Sequence, residues 1–291
     1  MGGNTLKDQA TKLRLLVSES EKRNQKKGVY PVSVTLSPKN TRVIAVTSGK
    51  GGVGKTTLAV NLALLLSRMP AKVLLVDADL GLANVDVMLD IDNGRHLGHL
   101  LMTNCTAEEV AADGPNGIKV ISGGSGLRDL ADAGSEGRAI ILEKLAAYCA
   151  NFDYVVVDTS PGIGEDVVDF LQWADDLLLV TTTEPTSITD AYAALKVAST
   201  EMPGKDVVVV VNSADTVQAS QAVTVINNVA NKFLGRHCNC WYPIEHDALV
   251  GRAIRERKPF VDTYPKSRAA ECLERLASEL YFRRSPVGAT A

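Results

Sequence analysis

The sequence SGKGGVGKTT occupies residues 48–57 and lies between two apolar runs, VIAV at residues 43–46 and LAVNLALLL at residues 58–66. This order is expected for a buried strand, a glycine-rich loop and a helix. In such a loop, consecutive backbone N–H groups point at one anion, and the positive end of the helix dipole strengthens their attraction. Glycine is required because only a residue without a Cβ allows so close an approach. The stretch therefore predicts a phosphate-binding loop.

The side chains of this loop suit a nucleoside triphosphate with Mg²⁺. Lys55 would reach the β- and γ-phosphate oxygens, the Thr56 hydroxyl would hold the metal ion that bridges them, and Thr57 would lie beside the α-phosphate. A chance match to the pattern G-x-x-x-x-G-K-[ST] is the alternative, and the strand and helix on either side argue against it. The predicted nucleotide contacts are Gly49, Lys50, Gly51, Gly52, Val53, Gly54, Lys55, Thr56 and Thr57.

Lys50 is the unusual residue of the loop, because it cannot easily reach from its own chain the phosphate that Lys55 contacts. The string KGGVGKTT at residues 50–57 closely resembles the deviant Walker A loop of the MinD/ParA family, and the resemblance extends over residues 41–281. In that family this lysine contacts the nucleotide of the opposing subunit in an ATP-bound dimer. The resemblance implies an ATP hydrolase that uses ATP and Mg²⁺, forms a homodimer with ATP, and has Lys50 and Lys55 in its active site. A solvated surface lysine is the alternative for Lys50.

Length and composition favour one α/β domain with a short extension. The chain has 291 residues, of which 45% are hydrophobic, so it can bury a full core. Its net charge of −3 argues against a general polyanion binder, and its five cysteines, an odd number, suit a reducing cytosol. The charged N-terminus has no apolar segment typical of a secretory signal, and no run approaches the roughly 20 apolar residues of a membrane helix. We expect a soluble, cytoplasmic protein.

Further apolar runs predict a doubly wound, mostly parallel sheet with helices on both faces. Runs that are apolar at nearly every position are typical of parallel strands buried on both faces. Such runs lie at residues 71–77, 154–158, 176–182 and 206–212, with a shorter strand at 118–121 and helices at 96–102, 136–150 and 266–284. We expect residues 1–40 to form a helical extension with a linker, and residues 41–291 to form the ATPase domain.

Acidic residues follow two of these strands, in DADLGLANVD at residues 77–86 and DTSPGIG at residues 158–164. Open α/β sheets bind ligands at the carboxyl ends of their strands, so these acids should lie beside the phosphates. Asp158 would hold Mg²⁺ directly or through a water molecule. The two strings resemble switch I and switch II of the MinD family, and by that resemblance Asp79 orients the attacking water. A side chain that only caps a helix or turn is the alternative for Asp79.

Two residues are candidates for binding the base. Asn212 ends the run at 206–212, and by family resemblance it contacts adenine, because an amide offers both a donor and an acceptor to the N6 and N7 edge. An Asx turn is the alternative. Asp247 resembles the acid of the family's P-x-D adenine loop, although Glu245 stands where the proline is expected.

Two strings indicate one branch of the family. DQATKLR at residues 8–14 resembles the activator helix of the flagellar-number regulators of the FlhG (YlxH, FleN) type, and TEPTSITDAY at residues 183–192 resembles a string of the same branch. The resemblance implies that the N-terminal helix, from about residue 5 to 23, stimulates a signal-recognition-particle-type GTPase of the FlhF kind. A helix that folds onto the core or frays is the alternative. The partner-binding residues would be Asp8, Gln9, Ala10, Leu13 and Arg14.

The same resemblance suggests a flagellar C-ring protein or a flagellar transcription regulator as further partners, with the inner membrane or the cell pole as a peripheral location. The last helix, with Ala270, Leu273, Leu276, Ala277 and Leu280 on one face, is better explained by core packing than by strong membrane attachment.

Two rival functions remain. A DNA-partition ATPase of the ParA branch would use a basic surface, but the two flagellar strings argue against it, so we expect weak or no direct DNA binding. An iron–sulfur carrier would use Cys238 and Cys240, although a single C-x-C is more typical of packing. The pair His96 and His99 is assigned to the surface or core, since a metal site needs further ligands. The basic surface of the DNA-partition alternative would include Arg252, Arg255, Arg257 and Lys258.

Overall fold

A central sheet organises the described part of the chain, which in this computed structural model comprises residues 41–79, 84–91, 94–124 and 134–283. The sheet has eight strands in the order β3-β4-β2-β5-β1-β6-β7-β8. All neighbouring strands run parallel except β3 and β4. The strands are β1 Arg42–Thr47, β2 Val73–Ala78, β3 Ala112–Asp113, β4 Lys119–Ile121, β5 Tyr154–Thr159, β6 Asp176–Thr181, β7 Val207–Asn212 and β8 Trp241–Ile244.

Ten α-helices and two 3₁₀ segments connect and cover these strands in the described residues. The connections between neighbouring parallel strands therefore pass through helices, as parallel pairing requires. The helices are α1 Lys55–Ser67, α2 Val85–Leu89, α3 Ala107–Val110, α4 Gly134–Cys149, α5 Glu165–Trp173, α6 Pro185–Glu201, α7 Thr216–Leu234, α8 Ala248–Arg255, α9 Phe260–Thr263 and α10 Arg268–Phe282, and the 3₁₀ segments are Leu97–Leu101 and Pro115–Gly117.

The core lies on both faces of the sheet. In β1, Val43 and Ala45 contribute to one hydrophobic cluster, while Ile44 and Val46 contribute to the other. Helices α4, α5, α6 and α7 pack on the first face, and α1, α9 and α10 pack on the second. This alternation explains why the strands are apolar at nearly every position. The predicted doubly wound fold is therefore confirmed.

The structure refines several predicted elements. The helix expected at 96–102 is the 3₁₀ segment Leu97–Leu101. The last helix begins at Arg268, later than predicted, because the Ser267 hydroxyl caps it by accepting the Ala270 N–H at 3.2 Å. Its face containing Leu273 and Leu276 is buried, which confirms the packing interpretation. Helices α2, α3, α5, α7, α8 and α9 were not predicted.

Several predictions lie outside the described residues. They concern the N-terminal extension at 1–40, the middle of the predicted switch I at 80–83, and Arg284 at the end of the last helix. The N-terminal residues are Asp8, Gln9, Ala10, Leu13 and Arg14.

Candidate nucleotide-binding site

The predicted site residues converge at the carboxyl ends of the parallel strands. The glycine-rich loop joins β1 to α1, Asp79 follows β2, Asp158 lies near the end of β5, and Asn212 ends β7. Parallel strands place these ends at one edge of the sheet, where open α/β folds form their ligand sites. The parallel direction of the strands therefore brings these residues together although they are far apart in the sequence.

The loop needs glycine at positions that the structure identifies. Gly54 has φ +94° and is the N-cap of α1, and a Cβ there would lie 2.3 Å from the Asn212 amide nitrogen. A Cβ on Gly49 would lie 2.0 Å from the backbone oxygen of Asp190 in α6. No side chain caps α1. Its first N–H groups are therefore presented towards the loop, as an anion site requires.

Lys55 forms a buried ion pair with Asp158. The Lys55 ammonium lies 2.7 Å from Asp158 Oδ1, and the two side chains are 6% and 0% exposed. Burial raises the pKa of Asp158, while Lys55 and the Thr56 hydroxyl oppose this shift. The pairing holds the lysine against the end of β5, at the position where it can meet a phosphate.

The second oxygen of Asp158 is placed to accept a ligand. Oδ2 is buried and has no hydrogen-bond partner among the described residues. Thr56 lies close enough to lower the pKa of this carboxyl group. A carboxylate oxygen beside a threonine hydroxyl is a donor set that Mg²⁺ accepts. The residues present therefore fit the metal ion that the sequence predicts.

Asp77 is a functional candidate that the sequence alone did not single out within its acidic string. It is fully buried, and burial, with a contribution from Asp158, raises its pKa to about 7. Its carboxylate accepts the backbone N–H groups of Asp79, Asn84 and Val85 at 3.0, 3.1 and 3.2 Å. Asp77 therefore holds both ends of the segment that resembles switch I.

Asp79 connects the two segments that resemble switch I and switch II. The Ser160 hydroxyl donates to Asp79 Oδ1 at 3.2 Å. The second of these segments is also attached to the glycine-rich loop, because the Gly162 N–H donates to the Ser48 carbonyl at 2.8 Å. The three loops therefore form one connected network around the position expected for the terminal phosphate.

Lys50 lies at the surface, apart from the buried pair. Its ammonium donates to Glu184 Oε2 at 3.0 Å and to the Thr186 hydroxyl at 3.1 Å. The Lys50 side chain is 40% exposed and that of Glu184 is 66% exposed. Both partners belong to the string at 183–192 that the sequence associates with the flagellar branch. In this conformation Lys50 is thus held by its own chain.

A cavity of about 240 Å³ adjoins the loop on the side of β7 and β8. Asn212 borders it, and its amide donates to the Val53 carbonyl at 2.8 Å and accepts the Ser213 N–H at 3.0 Å. One N–H and one lone pair of this amide are still available for a base. Asn212 therefore joins the glycine-rich loop to the cavity. Its bond from the N–H of the next residue, Ser213, is not the Asx turn offered as the alternative, which uses the N–H two residues on.

Asp247 acts here through backbone contacts. Its Oδ1 accepts the Leu249 N–H at 2.9 Å and its Oδ2 accepts the Arg268 N–H at 3.0 Å. It thereby caps α8 and joins it to the start of α10. Glu245, which replaces the expected proline, lies 3.5 Å from the Arg268 guanidinium. Asp247 lines the same cavity as Asn212.

Comparison with known proteins agrees with this geometry. Residues 39–281 match the ParA family, described as NUBPL iron-transfer P-loop NTPase. The chain belongs to the ParA/MinD family of P-loop ATPases. Like the other members of the family, it is an ATP hydrolase.

Relatives of this ParA/MinD ATPase include two flagellar proteins. The antiactivator FleN of Pseudomonas aeruginosa is 35% identical over 240 residues, with 82% of this chain and 86% of FleN covered. The flagellum site-determining protein YlxH of Helicobacter pylori is 32% identical over 251 residues, with 83% and 82% covered. In structure, the MinD of Pyrococcus horikoshii complexed with Mg-ADP matches with a TM-score of 0.71 at 22% identity, covering 85% of this chain and 100% of that one.

The structure also bears on the alternative of an iron–sulfur carrier and on membrane attachment. Cys238 is buried, and burial raises the pKa of its thiol, which disfavours the thiolate that a metal cluster needs. The described residues contain no group of three or more His, Cys, Asp or Glu side chains arranged to hold a metal ion. Nor does any described helix of this ATPase have the length and apolar character needed to cross a bilayer.

Proposed function

We propose that this chain is an ATP-dependent, dimerising switch ATPase that regulates flagellar number or placement by binding partners. The observation that carries the proposal is the contrast between its two loop lysines. Lys55 is buried against Asp158, whereas Lys50 lies at the surface, where a second subunit can meet it. The identities of 35% and 32% to FleN and YlxH support the flagellar assignment.

The nucleotide in this proposal is ATP with Mg²⁺. Thr56 and Asp158 would hold the metal ion, which supplies positive charge to the β- and γ-phosphates. Lys55 would contact the phosphates, Asn212 would bind adenine, and Asp79 would orient the attacking water. Asp247 would shape the base cavity by fixing the start of α8. The orphaned Oδ2 of Asp158 supports the metal assignment.

The switch would operate through the network around the terminal phosphate. Asp77, Asp79 and Ser160 connect the two switch-like segments, and Gly162 attaches one of them to the loop. The γ-phosphate would order this network, and its loss on hydrolysis would release the segments and separate the dimer. The output of the cycle would be partner binding.

The partner in the proposal is a signal-recognition-particle-type flagellar GTPase of the FlhF kind. The N-terminal string at 8–14 would stimulate it. A flagellar C-ring protein or a flagellar transcription regulator would be a further partner, met at the inner membrane or the cell pole. The name of FleN, an antiactivator, favours a transcription regulator, and that of YlxH, a site-determining protein, favours placement.

Dimerisation is tested with Lys50→Ala and a surface control, Lys232→Ala. With ATP·Mg²⁺, the wild type and the control should elute as dimers in size-exclusion chromatography with light scattering, and Lys50→Ala should elute as a monomer. Dimerisation of Lys50→Ala at the wild-type ATP concentration would remove the trans-acting role of this lysine.

The partner assignment is tested by GTP turnover of the organism's own flagellar GTPase. The full-length protein should stimulate it, and the double variant Gln9→Ala, Leu13→Ala should not. Because these changes lie outside the ATPase domain, ATP-dependent dimerisation should be unchanged. Equal stimulation by the double variant would remove the activator role of residues 8–14.

DNA partition is a second candidate because exposed cations cluster around α8. Arg255, Arg257 and Lys258 are exposed, while Arg252 pairs with Glu256 at 2.9 Å. A partition ATPase would bind DNA without sequence preference, only with ATP, and less tightly as salt rises. Salt-independent or absent DNA binding by the ATP-bound dimer would exclude it.

A further inference from the structure

A second cavity, of about 460 Å³, lies at the amino ends of the strands, on the opposite edge of the sheet from the nucleotide site. It is bordered by the first residues of β1, β6 and β7 and by the loop at residues 236–240 that leads into β8. We call it the amino-edge cavity. Its volume is within the range of small-molecule sites, roughly 300–1,000 Å³. The proposed ATPase cycle assigns it no role.

Two of the cations on its wall are neutralised by carboxylates. Arg42 forms a two-point contact with Asp176, in which Nη2 donates to Oδ1 at 2.8 Å and Nε donates to Oδ2. Arg283 donates to Glu279 Oε1 at 2.7 Å. These pairs leave little net charge for a ligand.

Lys205 and Arg236 are different, because their hydrogen bonds go to neutral acceptors. The Lys205 ammonium donates to the carbonyls of Leu171, Gln172 and Ala174 at the end of α5, so all three of its N–H donors are in use. Arg236 donates to the Ser199 hydroxyl at 3.2 Å and to the carbonyl of Lys205 itself. Among the ion pairs of the described residues, which are defined by an N···O distance of up to 4.0 Å, none includes Lys205 or Arg236.

Both residues line the cavity and are partly buried. The Arg236 guanidinium contacts Lys205 at its backbone carbonyl, while the Lys205 ammonium lies against the end of α5. Burial lowers the pKa of Lys205, and Asp175 opposes this shift. Asp206 lines the rim but is exposed to solvent. The wall therefore carries positive charge that its own contacts do not neutralise.

We propose that the amino-edge cavity binds a small phosphate-bearing molecule, with the phosphate hydrogen-bonded to Arg236 and attracted by the charge of Lys205. One phosphate dianion would offset the two positive charges, whereas a single carboxylate would offset one. In its contacts with the described residues Arg236 uses two of its five N–H donors, so its planar group retains donors for phosphate oxygens. The exposed side chains of Asn239 and His237 at the rim add further polar groups.

The test is isothermal titration calorimetry with fructose 1,6-bisphosphate as probe and the full chain saturated with ADP·Mg²⁺. ADP occupies the glycine-rich loop, so a probe that binds at the amino-edge cavity does not compete with it. Doubling the ADP concentration should therefore leave the binding isotherm of the probe unchanged. The probe should bind saturably, and fructose without phosphates should not bind. Arg236→Gln should raise the Kd at least about tenfold, since it removes charge-assisted bonds.

Two further variants separate binding from folding. Asn239→Asp adds a negative charge at an exposed rim position and should also weaken binding several-fold while leaving the ADP affinity unchanged. Arg255→Gln, on α8, makes the same substitution as Arg236→Gln away from the cavity and should bind like the wild type. The absence of saturable binding, or equal Kd values for the wild type and both cavity variants, would overturn the proposal.

Discussion

At the scale of single residues, the two lysines of the loop show that burial determines how much an ion pair contributes to the free energy of unfolding. Lys55 and Asp158 are almost completely removed from water, so the ion pair between them offsets the desolvation cost of burying each charge. Lys50 and Glu184 remain largely solvated, and such pairs contribute little to stability. The same residue type thus serves folding in one place and is available for a partner in the other.

This contrast predicts different stabilities for two matched variants. Without nucleotide, Lys55→Met should lower the free energy of unfolding by about 3 kcal/mol, because it leaves a buried carboxylate unpaired. Lys50→Met should lower it by less than about 1 kcal/mol. Urea denaturation followed by circular dichroism measures both. Equal losses in the two variants would contradict the burial argument.

Cys149 gives a prediction about reactivity. Its side chain is fully buried, and burial raises the pKa of the thiol to about 12. At about pH 8 only about one molecule in ten thousand carries the reactive thiolate. Iodoacetamide should therefore leave Cys149 unmodified in the folded protein while it alkylates the partly exposed Cys105, as detected by peptide mass spectrometry.

The control for this experiment is the unfolded chain. In concentrated guanidinium chloride all five cysteines should react. Modification of Cys149 at the same rate as Cys105 in the folded protein would show that this side of the core opens readily.

At the scale of secondary-structure elements, two aspartates cap helices with different consequences. Asp215 caps α7, where its Oδ1 accepts the Gln218 N–H at 2.8 Å. In turn, Gln218 Oε1 accepts the Asp215 backbone N–H at 3.1 Å. Asp247 caps α8, and its second oxygen holds the start of α10. Residues of α8 and α10 line the base cavity together with residues of α1 and α9, whereas the described lining includes none from α7.

Removing either cap should cost similar stability but affect binding differently. Asp215→Ala and Asp247→Ala should each lower the free energy of unfolding by about 1 kcal/mol. Asp247→Ala should also raise the Kd for ADP about tenfold, because the base cavity loses the contact that positions α8. Calorimetry with ADP measures this difference.

Tripolyphosphate, which has no base, separates this effect from a general loss of the site. Its affinity should be the same in both variants and in the wild type. A weaker affinity for tripolyphosphate in Asp247→Ala would place the damage in the glycine-rich loop.

At the scale of the whole molecule, the described residues, all after position 40, supply an eight-stranded sheet with a hydrophobic layer on each face. Both clusters draw their members from β1 onward, and the last helix closes the second cluster through Leu276 and Leu280. The described residues therefore supply a core on both faces of the sheet, and we expect it to form without the N-terminal extension.

A variant that lacks residues 1–40 should consequently fold and retain the switch. We expect one cooperative unfolding transition and ATP-dependent dimerisation like those of the full chain, because the buried clusters are intact. Stimulation of the flagellar GTPase should be lost. An insoluble or non-cooperative product would place the domain boundary elsewhere and assign the extension a role in the core.

Much of the fold followed from local patterns. Runs that are apolar at nearly every position indicated strands buried on both faces, and the glycine-rich loop marked the strand at the centre of the sheet. Helix α8 was missed because it is short and its charged residues suggested a surface. The sequence predicts an α-helix at 96–102 instead of the 3₁₀ segment Leu97–Leu101, because the two kinds of helix have a similar spacing of apolar residues.

The sequence by itself determined the family, the doubly wound sheet and the phosphate loop, because these depend on residue types at short, fixed spacings. Only the tertiary structure decided which side chains meet across long separations. It placed Lys50 beside Glu184, assigned Asp77 to both ends of one segment, and made Asp247 a link between two helices. It also brought Lys205 and Arg236 together in the amino-edge cavity. These long-range contacts depend on the order of strands in the sheet and on packing, and a local sequence pattern gives no information about either.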